Sequence, residues 1–512
     1  MPASLDSYDD LPYESLPLPD THPDYLRAIA RLYGVEAAPA STCRVLELGC
    51  AGGGNLLPLA WRFPGSQCIG VELALSHVNE AQALITELGL SNAQVLHRSI
   101  TDPMDDLGEF DYILAHGVFS WVPAAVQTRL LEICGQHLAS NGIAYISYNT
   151  LPGWHVRGLL RDAMLSYCPP GGRASERLAQ AHALFDLIAP ALQAQTSLDA
   201  QLACKEIEYL RSAAPSYVYH EYLEVINEPL LFSAFMQRAD QAGLTYLADA
   251  ELWTMFPDTL GKEAAAMFSP IADRLQQEQM LDLARLRKFR RSLLVRKGAH
   301  LRNAPDLSAL ETLSCYADLA CTDEIDLLNA TTQNFTGPAG NFYPVDQPLT
   351  KAALMLLAMQ YPQAIAWDDL RQRASDLVVE HGGTVSQDAY ADYNTELFSL
   401  IAYQALRPTL ETGVTMDNLA ERPCAHPWAR AQAARGRIVA SARHTAVELD
   451  ALGATLLLHL DGTRSLQALV ALMAEALAHD SQAIEAPLLE NACVQMLWTF
   501  ARQGLLQDAV AS

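Results

Sequence analysis

The sequence predicts an α/β protein in which a parallel-sheet domain precedes a helical middle region and small C-terminal modules. Short apolar segments alternate with amphipathic stretches over residues 44–149, and an alanine- and leucine-rich helical pattern covers residues 154–295. A Gly/Pro/Asn-rich stretch at 329–348 then precedes two segments of short helices, a pattern compatible with small helical or winged-helix-like modules. We therefore expect four domains, at residues 1–165, 166–345, 346–410 and 411–512.

Five apolar runs of strand length form the predicted sheet. Each run ends in glycine or a polar residue and is followed by a helical pattern, as in repeated βαβ units. A proline-containing segment before them predicts an extended arm and then a short helix from Pro23 to Tyr33. The five runs are RVLELGC, QCIGVEL, QVLHRSI, FDYILAHG and GIAYISYN.

Composition and charge exclude several classes of protein. The 512 residues are 50% apolar and carry a formal net charge of −25. Such an acidic surface repels phosphate backbones, and no run reaches the ~20 apolar residues of a membrane-spanning helix. The N-terminus lacks the pattern of a secretory signal, and the cysteines show no C-x-x-C spacing. We expect a cytoplasmic protein with reduced thiols, no membrane span, no metal site and no nucleic-acid partner.

The segment RVLELGCAGGGNLLPLA, residues 44–60, contains the strongest functional signal. An apolar strand leads into Gly49, Gly52, Gly53 and Gly54 and then into a helix, so a ligand can lie against bare backbone. The spacing differs from the G-x-G-x-x-G of dinucleotide sites, and no G-K-[ST] follows. A purely structural glycine turn is the alternative interpretation.

Two carboxylates narrow the class of ligand. Glu47 lies two residues before Gly49, where a carboxylate repels phosphate but suits an ammonium or sulfonium group. Glu72 ends the next strand and can accept hydrogen bonds from both ribose hydroxyls. A ribose, a cationic tail and no phosphate together indicate S-adenosylmethionine (AdoMet), with another nucleoside as the alternative.

Over about residues 40–150 the chain resembles class I AdoMet-dependent methyltransferases, which implies a Rossmann-like domain and S-adenosylhomocysteine (AdoHcy) as the product. The resemblance places His116, Phe119 and Trp121 beneath the transferable methyl group. It implies a cofactor site formed by Glu47, Gly49, Cys50, Ala51, Gly52, Asn55, Glu72, Leu73, Ser99, Ile100, His116 and Gly117.

Longer segments resemble bacterial methyltransferases that carry a methyltransferase regulatory domain. They are YDDLPYESLPLPDTHPDYL, FDYILAHGVFSWVP, YNTLPGWHVR, HEYLEVINEPLLFSAFMQRADQAGLTYLADAEL and FRRSLLVR. Because that group includes protein-lysine methyltransferases that modify outer-membrane proteins, the resemblance implies transfer of a methyl group to a protein lysine. An outer-membrane protein is then a candidate substrate and a homodimer a candidate assembly. A small-molecule methyltransferase and a non-catalytic AdoMet-binding interaction protein are the alternatives.

A lysine acceptor must lose its proton before it attacks the methyl group, which costs roughly 4.6 kcal/mol at pH 7. Apolar, aromatic surroundings offset much of this cost by disfavouring the charged amine. Tyr13 and Tyr148 can accept a hydrogen bond from the amine, and Phe119 and Trp121 can surround it. Each of these side chains is equally compatible with a place in the core, and His116 with a structural role.

Two charged clusters have competing interpretations. The stretch from Arg285 to Arg302 holds eight cations, which either pair with the protein's own acids or face an acidic protein substrate. His220 and Glu224 share one face of a predicted helix. Because a zincin requires a second histidine at position 224, we expect a helix start or a surface position there.

Overall fold

A seven-stranded sheet organises the first 300 residues of the computed structural model, which describes residues 11, 15–411, 413–414, 419–478 and 486–507. Its strands are Arg44–Leu48 (β1), Gln67–Glu72 (β2), Ala93–His97 (β3), Phe110–Ala115 (β4), Leu138–Asn149 (β5), Leu244–Asp249 (β6) and Phe289–Arg296 (β7). They stand in the order β3-β2-β1-β4-β5-β7-β6. The first five are parallel, and β7 is antiparallel to both β5 and β6.

The first five strands coincide with the five predicted apolar runs, which confirms the predicted parallel sheet. Four helices precede or connect these strands: Pro23–Leu32 (α1), Leu56–Arg62 (α2), Leu75–Leu88 (α3) and Ala124–His137 (α4). Helix α1 is the predicted short helix. It begins with a proline at its first position, and the His22 side chain accepts a hydrogen bond from the Asp24 N–H.

Two segments of the predicted helical region are strands instead. β6 and β7 complete the sheet, and Leu293, Leu294 and Val295 of β7 are fully buried. β7 pairs with β5, so that Leu294 lies opposite Ala144, 150 positions earlier in the chain. The local sequence pattern did not predict β7 as a strand, because the segment contains basic residues and its partner strand is distant in the chain. The sheet therefore crosses the predicted boundary at residue 165, and the four predicted domain limits stay predictions.

The rest of the middle region is helical. Four helices form a unit with a core of its own that includes Leu160, Ala181, Phe185 and Ile207. They are Trp154–Tyr167 (α5), Ala174–Gln193 (α6), Leu198–Ser212 (α7) and Pro215–Tyr222 (α8). Three more helices lie along the chain around β6 and β7: Phe232–Gln241 (α9), Lys262–Phe268 (α10) and Arg274–Arg285 (α11).

The next module combines three helices with short strands. The helices are Pro348–Gln360 (α12), Trp367–Glu380 (α13) and Gln387–Ala402 (α14). The strands are Ser314–Tyr316 (β8), Gln333–Thr336 (β9), Phe342–Val345 (β10), Ile365–Ala366 (β11) and Arg407–Thr409 (β12). β11, β8 and β12 form one small sheet, so β8 joins this module from a position before residue 346.

The C-terminal domain has its own core, centred on Trp428, Leu457 and Leu497. Its helices are Pro427–Ala433 (α15), Ala451–Leu458 (α16), Leu466–Ala478 (α17) and Ala486–Arg502 (α18). Its strands are Cys424–Ala425 (β13), Ile438–Ala440 (β14), Ala446–Glu448 (β15) and Leu506–Gln507 (β16). β14 and β15 form an antiparallel hairpin.

This C-terminal domain packs directly on the N-terminal domain. The ring of Trp61 in α2 meets that of Trp428 at 4.3 Å between centroids, and Arg435 pairs with Glu87 of α3 at 2.6 Å. The two domains thus share a contact beside the helices that follow β1 and β2. Among the described residues, no helix combines the length and apolarity required to cross a membrane.

Candidate active site

The glycine turn joins β1 to α2 through a backbone that requires glycine. Gly49 has φ +74° and Gly53 has φ +80°, and Ala51 between them adopts φ +45°. A Cβ added at Gly49 would lie 2.6 Å from Cγ2 of Val118, in the loop after β4. Glycine therefore allows the turn to approach that loop closely.

The N-terminal arm lies against the same turn. The Gly54 N–H donates to Oγ of Ser15 at 2.7 Å, and a Cβ at Gly54 would lie 1.9 Å from the Ser15 carbonyl oxygen. Further up the arm, Nε2 of His220 donates to the Leu11 carbonyl at 2.7 Å. His220 is buried in the last turn of α8, where it contacts the arm, so the predicted helix start or surface position is wrong. Tyr13, predicted to act on the acceptor, lies outside the described residues.

Glu47 is buried in β1, with one carboxylate oxygen paired and the other unpaired. Nδ2 of Asn55 donates to Oε1 at 2.8 Å, whereas Oε2 has no hydrogen-bond partner among the described residues. Burial raises the pKa of Glu47 to about 8, although the Asn55 hydrogen bond opposes this rise. An unpaired buried carboxylate oxygen beside a glycine turn fits the ammonium group of a ligand.

Glu72 ties the end of β2 to the glycine turn. Its Oε2 accepts the Ala51 N–H at 2.9 Å, and its Oε1 accepts the Leu73 and Ala74 N–H groups at 2.8 Å each. These bonds hold a half-buried carboxylate at the edge of the site, where a ribose hydroxyl can reach its remaining lone pairs.

Ser99 and Ile100 follow β3, at the carboxyl edge shared with Leu73. The Ser99 N–H donates to Oδ2 of Asp102 at 2.9 Å, and Leu73 is half-exposed. Nε2 of His97 lies 3.0 Å from the Leu73 carbonyl and joins the ends of the two strands. The sheet therefore brings these three predicted cofactor-site residues to one edge.

His116 and Gly117 follow β4 on the other side of the glycine turn. Nδ1 of His116 lies 2.9 Å from the Tyr145 hydroxyl, and burial together with the charge of Arg291 lowers the pKa of His116 to about 4. The imidazole is therefore neutral at pH 7. The Gly117 N–H donates to Oγ of Ser147 at 2.8 Å, and a Cβ at Gly117 would meet nothing within 4 Å.

Phe119 and Tyr148, predicted as catalytic, are core residues in this structure. Phe119 is fully buried, and its ring meets that of Phe235 at 5.3 Å between centroids. The ring of Tyr148 stacks on Phe235 at 4.0 Å, and its hydroxyl lies 3.1 Å from Oγ of Ser292. Because both side chains are enclosed by α9 and β7, the prediction that they contact the acceptor is not supported by the packing.

Trp121 is half-buried and contacts the helical unit. Its ring lies 6.2 Å from that of Trp154, and the guanidinium of Arg161 stands 5.8 Å from it. Three further residues of the site were not predicted from the sequence. Ser15 contacts the glycine turn, Tyr145 contacts His116, and Ser147 contacts Gly117. The residue spacing carries no signal for them, since their partners lie at least 29 positions away.

The basic stretch pairs with the protein's own acids, as the first of its two interpretations predicts. Arg290 is fully buried and donates to Asp282 at 2.7 Å and to Glu278 at 2.8 Å. Further cations of the stretch also form ion pairs: Arg287, Arg291, Arg296, Lys297 and Arg302. This pairing leaves no need to invoke an acidic protein substrate for these residues.

Three family models match the chain: a methyltransferase domain at 45–142, a predicted methyltransferase regulatory domain at 214–296, and the PKMT C-terminal winged helix domain at 421–505. Uncharacterized protein RP028 of Rickettsia prowazekii is 37% identical over 235 residues, which are 46% of this chain and 94% of that relative. The chain therefore belongs to the family of this relative, a family of methyltransferases with a regulatory domain. Uncharacterized protein RP789 of the same organism is 35% identical over 332 residues, 64% of this chain and 60% of that protein, so the match spans less than two thirds of that relative.

The structure of PKMT2 from Rickettsia typhi has the same fold over nearly the whole chain. It superposes with a TM-score of 0.86 at 27% identity and covers 96% of this chain and 100% of that one. The same protein in complex with AdoHcy gives a TM-score of 0.85 and covers 97% of this chain. The methyltransferase resemblance, the α/β fold and the C-terminal winged helix are thereby confirmed.

Proposed function

We propose that this methyltransferase transfers a methyl group from AdoMet to a lysine side chain of a protein substrate. The observation that carries the cofactor assignment is the buried, unpaired Oε2 of Glu47 beside the glycine turn. The cofactor prediction agrees with the Rickettsia typhi relative, which was determined in complex with AdoHcy, the product that AdoMet leaves.

The residues of the glycine turn and of the neighbouring strand ends fit AdoMet. Oε2 of Glu47 would accept the ammonium group, the glycine turn would lie along the amino-acid portion, and Glu72 would accept the ribose hydroxyls. The remaining predicted cofactor contacts are Cys50, Ala51, Asn55, Leu73, Ser99, Ile100, His116 and Gly117. When bound, AdoMet supplies a methyl group activated by its sulfonium.

The acceptor end of the site is formed by side chains that disfavour a charged amine. His116 is neutral at pH 7 and therefore does not repel a lysine or the sulfonium. Aromatic faces at this end attract the sulfonium and the methylated product. Among the predicted catalytic residues that the structure describes, His116 and Trp121 are the ones we assign to this end.

Glu72→Ala tests the ribose assignment. Loss of the charge-assisted hydrogen bonds is expected to weaken AdoMet binding by about 1–3 kcal/mol. Isothermal titration calorimetry measures this affinity. Glu109→Ala is the control, because Glu109 is an exposed glutamate just before β4 that forms a surface ion pair with Arg296. Because Glu72 also holds three backbone N–H groups, thermal unfolding of the free variant is recorded in parallel. An unchanged affinity would contradict the ribose role.

Labelling identifies the acceptor. The purified protein is incubated with methyl-labelled AdoMet and separate soluble and outer-membrane fractions of a bacterial lysate, with Glu47→Gln as the inactive control. We expect label on lysine residues of protein, located by mass spectrometry. Label found only in small molecules would support a small-molecule methyltransferase. No label, with AdoMet binding confirmed, would support the non-catalytic alternative.

Three finer features belong to the same proposal: an outer-membrane protein as substrate, a homodimer as assembly and the cytoplasm as location. The α5–α8 unit exposes Leu187, Leu198 and Leu202, which supports an interface between copies. Sedimentation analysis decides the assembly, and label in the outer-membrane fraction supports that substrate.

A further inference from the structure

The tip of the β14–β15 hairpin is buried against the N-terminal domain, although hairpin tips ordinarily lie at the surface. Ser441, Ala442, Arg443 and His444 are each less than 8% exposed. His444 also has φ +58°, a conformation that non-glycine residues rarely adopt and that clusters at functional sites. A polar, strained and buried tip requires specific partners to compensate for its lost hydration.

The partner of His444 is Asn55, the residue that holds Glu47. Nε2 of His444 lies 2.7 Å from Oδ1 of Asn55, and the Leu18 N–H donates to the same oxygen at 2.9 Å. A backbone N–H can only donate, so the amide atom facing Leu18 and His444 is the oxygen. Nδ2 therefore points the other way, toward Oε1 of Glu47.

The protonation of His444 follows from the same geometry. Because Oδ1 of Asn55 only accepts, Nε2 of His444 carries the hydrogen and donates it. Burial lowers the pKa of His444 to about 3, so the ring is neutral at pH 7 and acts as a fixed donor. A chain of hydrogen bonds thus runs from the C-terminal domain through Asn55 to Glu47.

We propose that His444 is a positioning residue for the cofactor site: together with the Leu18 N–H and the Thr21 hydroxyl it holds the Asn55 amide, so that Nδ2 binds Glu47 and leaves Oε2 for the ammonium group of AdoMet. This inference rests on the proposed function. It makes cofactor affinity depend on the docked C-terminal domain, and by linkage the bound cofactor strengthens that docking equally.

The alternative is that the hairpin tip only attaches the C-terminal domain. Arg443, the neighbouring residue, provides that comparison because it anchors the same tip without touching Asn55. Nε of Arg443 donates to the Pro362 carbonyl at 2.8 Å, and its guanidinium lies 3.9 Å from the ring of Tyr316. Arg443→Leu therefore loosens the attachment and keeps the His444 donor.

The experiment is a calorimetric titration of the full-length protein with AdoHcy, which retains the ammonium group. His444→Leu removes the donor and is expected to weaken AdoHcy binding about tenfold. His444→Gln keeps a donor and is expected to stay within about threefold of the natural protein, as is Arg443→Leu. Thermal unfolding of each variant reports the stability lost. If His444→Leu does not fold, His444→Phe replaces it, because a ring preserves the contact with His22.

The pH dependence of AdoHcy affinity separates positioning from attachment. In His444→Leu the Leu18 N–H and the Thr21 hydroxyl are left to hold the Asn55 amide. The Asn55 hydrogen bond, which lowers the pKa of Glu47, is therefore expected to weaken, and the midpoint of the affinity profile to move to higher pH. The other groups that act on Glu47, namely Glu72, Cys50 and Cys68, are the same in every variant. Arg443→Leu is expected to leave the midpoint unchanged.

The outcomes distinguish this inference from the proposed function. If the natural protein does not bind AdoHcy, both the proposed cofactor and this inference are wrong. If the natural protein binds AdoHcy but His444→Leu binds it equally well, only the inference is overturned. The same holds if Arg443→Leu shows the same loss and the same midpoint as His444→Leu.

Discussion

Glu47→Gln is expected to lower AdoMet affinity by roughly a hundredfold and, in the absence of cofactor, to make the protein more stable at pH 8. Glutamine preserves the size of the side chain and can still accept the Asn55 hydrogen bond. It presents no charge to an ammonium group, so the interaction that defines the site is lost.

The gain in stability follows from the direction of the pKa shift. The Glu47 carboxyl has a pKa of about 8 in the folded protein, above its ordinary value of 4.5 in the unfolded chain. Between these two values the unfolded chain binds fewer protons, so stability falls as pH rises. A neutral glutamine removes this penalty, which is on the order of 4 kcal/mol at pH 8 and little at pH 4.

Thermal unfolding at pH 4 and pH 8, together with AdoMet titration, measures both effects. Glu109→Gln is the matched control because Glu109 is exposed and far from the turn, and neither quantity is expected to change. A variant that is destabilised at pH 8 would contradict the raised pKa of Glu47, and a variant that binds AdoMet normally would contradict the assignment of Glu47 to the ammonium group.

Arg290→Leu is expected to destabilise the protein by about 3–5 kcal/mol at pH 8. The Arg290 guanidinium is fully buried in β7 and lies over the ring of Phe232 at 3.9 Å. It neutralises Glu278 and Asp282, and Asp249 stands 3.6 Å away. Leucine leaves Glu278 and Asp282 without their main counter-charge. Burial then favours the protonated, neutral forms of these two carboxylates.

The destabilisation by Arg290→Leu should therefore depend on pH. Arg290 opposes the rise that burial causes in the pKa of Glu278 and Asp282, so removing it raises both pKa values further. A folded-state pKa above the unfolded value costs stability as pH rises, so the loss is larger at pH 8 than at pH 5. Chemical denaturation at the two pH values tests this. Arg296→Leu, which breaks a surface pair, is expected to cost about 1 kcal/mol or less.

Local sequence patterns were sufficient to predict the parallel sheet and the turn that we propose to bind the cofactor. The alternation of apolar runs and helical stretches predicted β1 to β5, because burial on both faces of a parallel sheet produces continuous apolar segments. Glu47, the glycine turn and Glu72 were identifiable because all of them lie within 30 residues and their spacing follows from one βαβ unit. Family membership followed from the same segments.

The sequence could not show which of the predicted catalytic aromatic residues pack in the core and which can face a substrate. Phe119, Trp121 and Tyr148 all follow or end strands, and an aromatic residue there packs against the core or faces a substrate with the same local pattern. Only the position of Phe235 in α9 shows that Phe119 and Tyr148 are enclosed. The basic run FRRSLLVR likewise has the composition of a surface segment. Only the structure shows that the buried acids Glu278 and Asp282 pair with Arg290 of this run.

Residues close together in the chain were therefore sufficient to predict the class of fold, the glycine turn and the family. The tertiary structure alone decided the last two strands of the sheet, the enclosure of the predicted catalytic aromatics and the contact of His444 with Asn55, 389 positions apart. The physical reason is that periodicity and turn chemistry record local geometry. The pairing of distant buried polar groups depends on how complete domains pack, which no local pattern encodes.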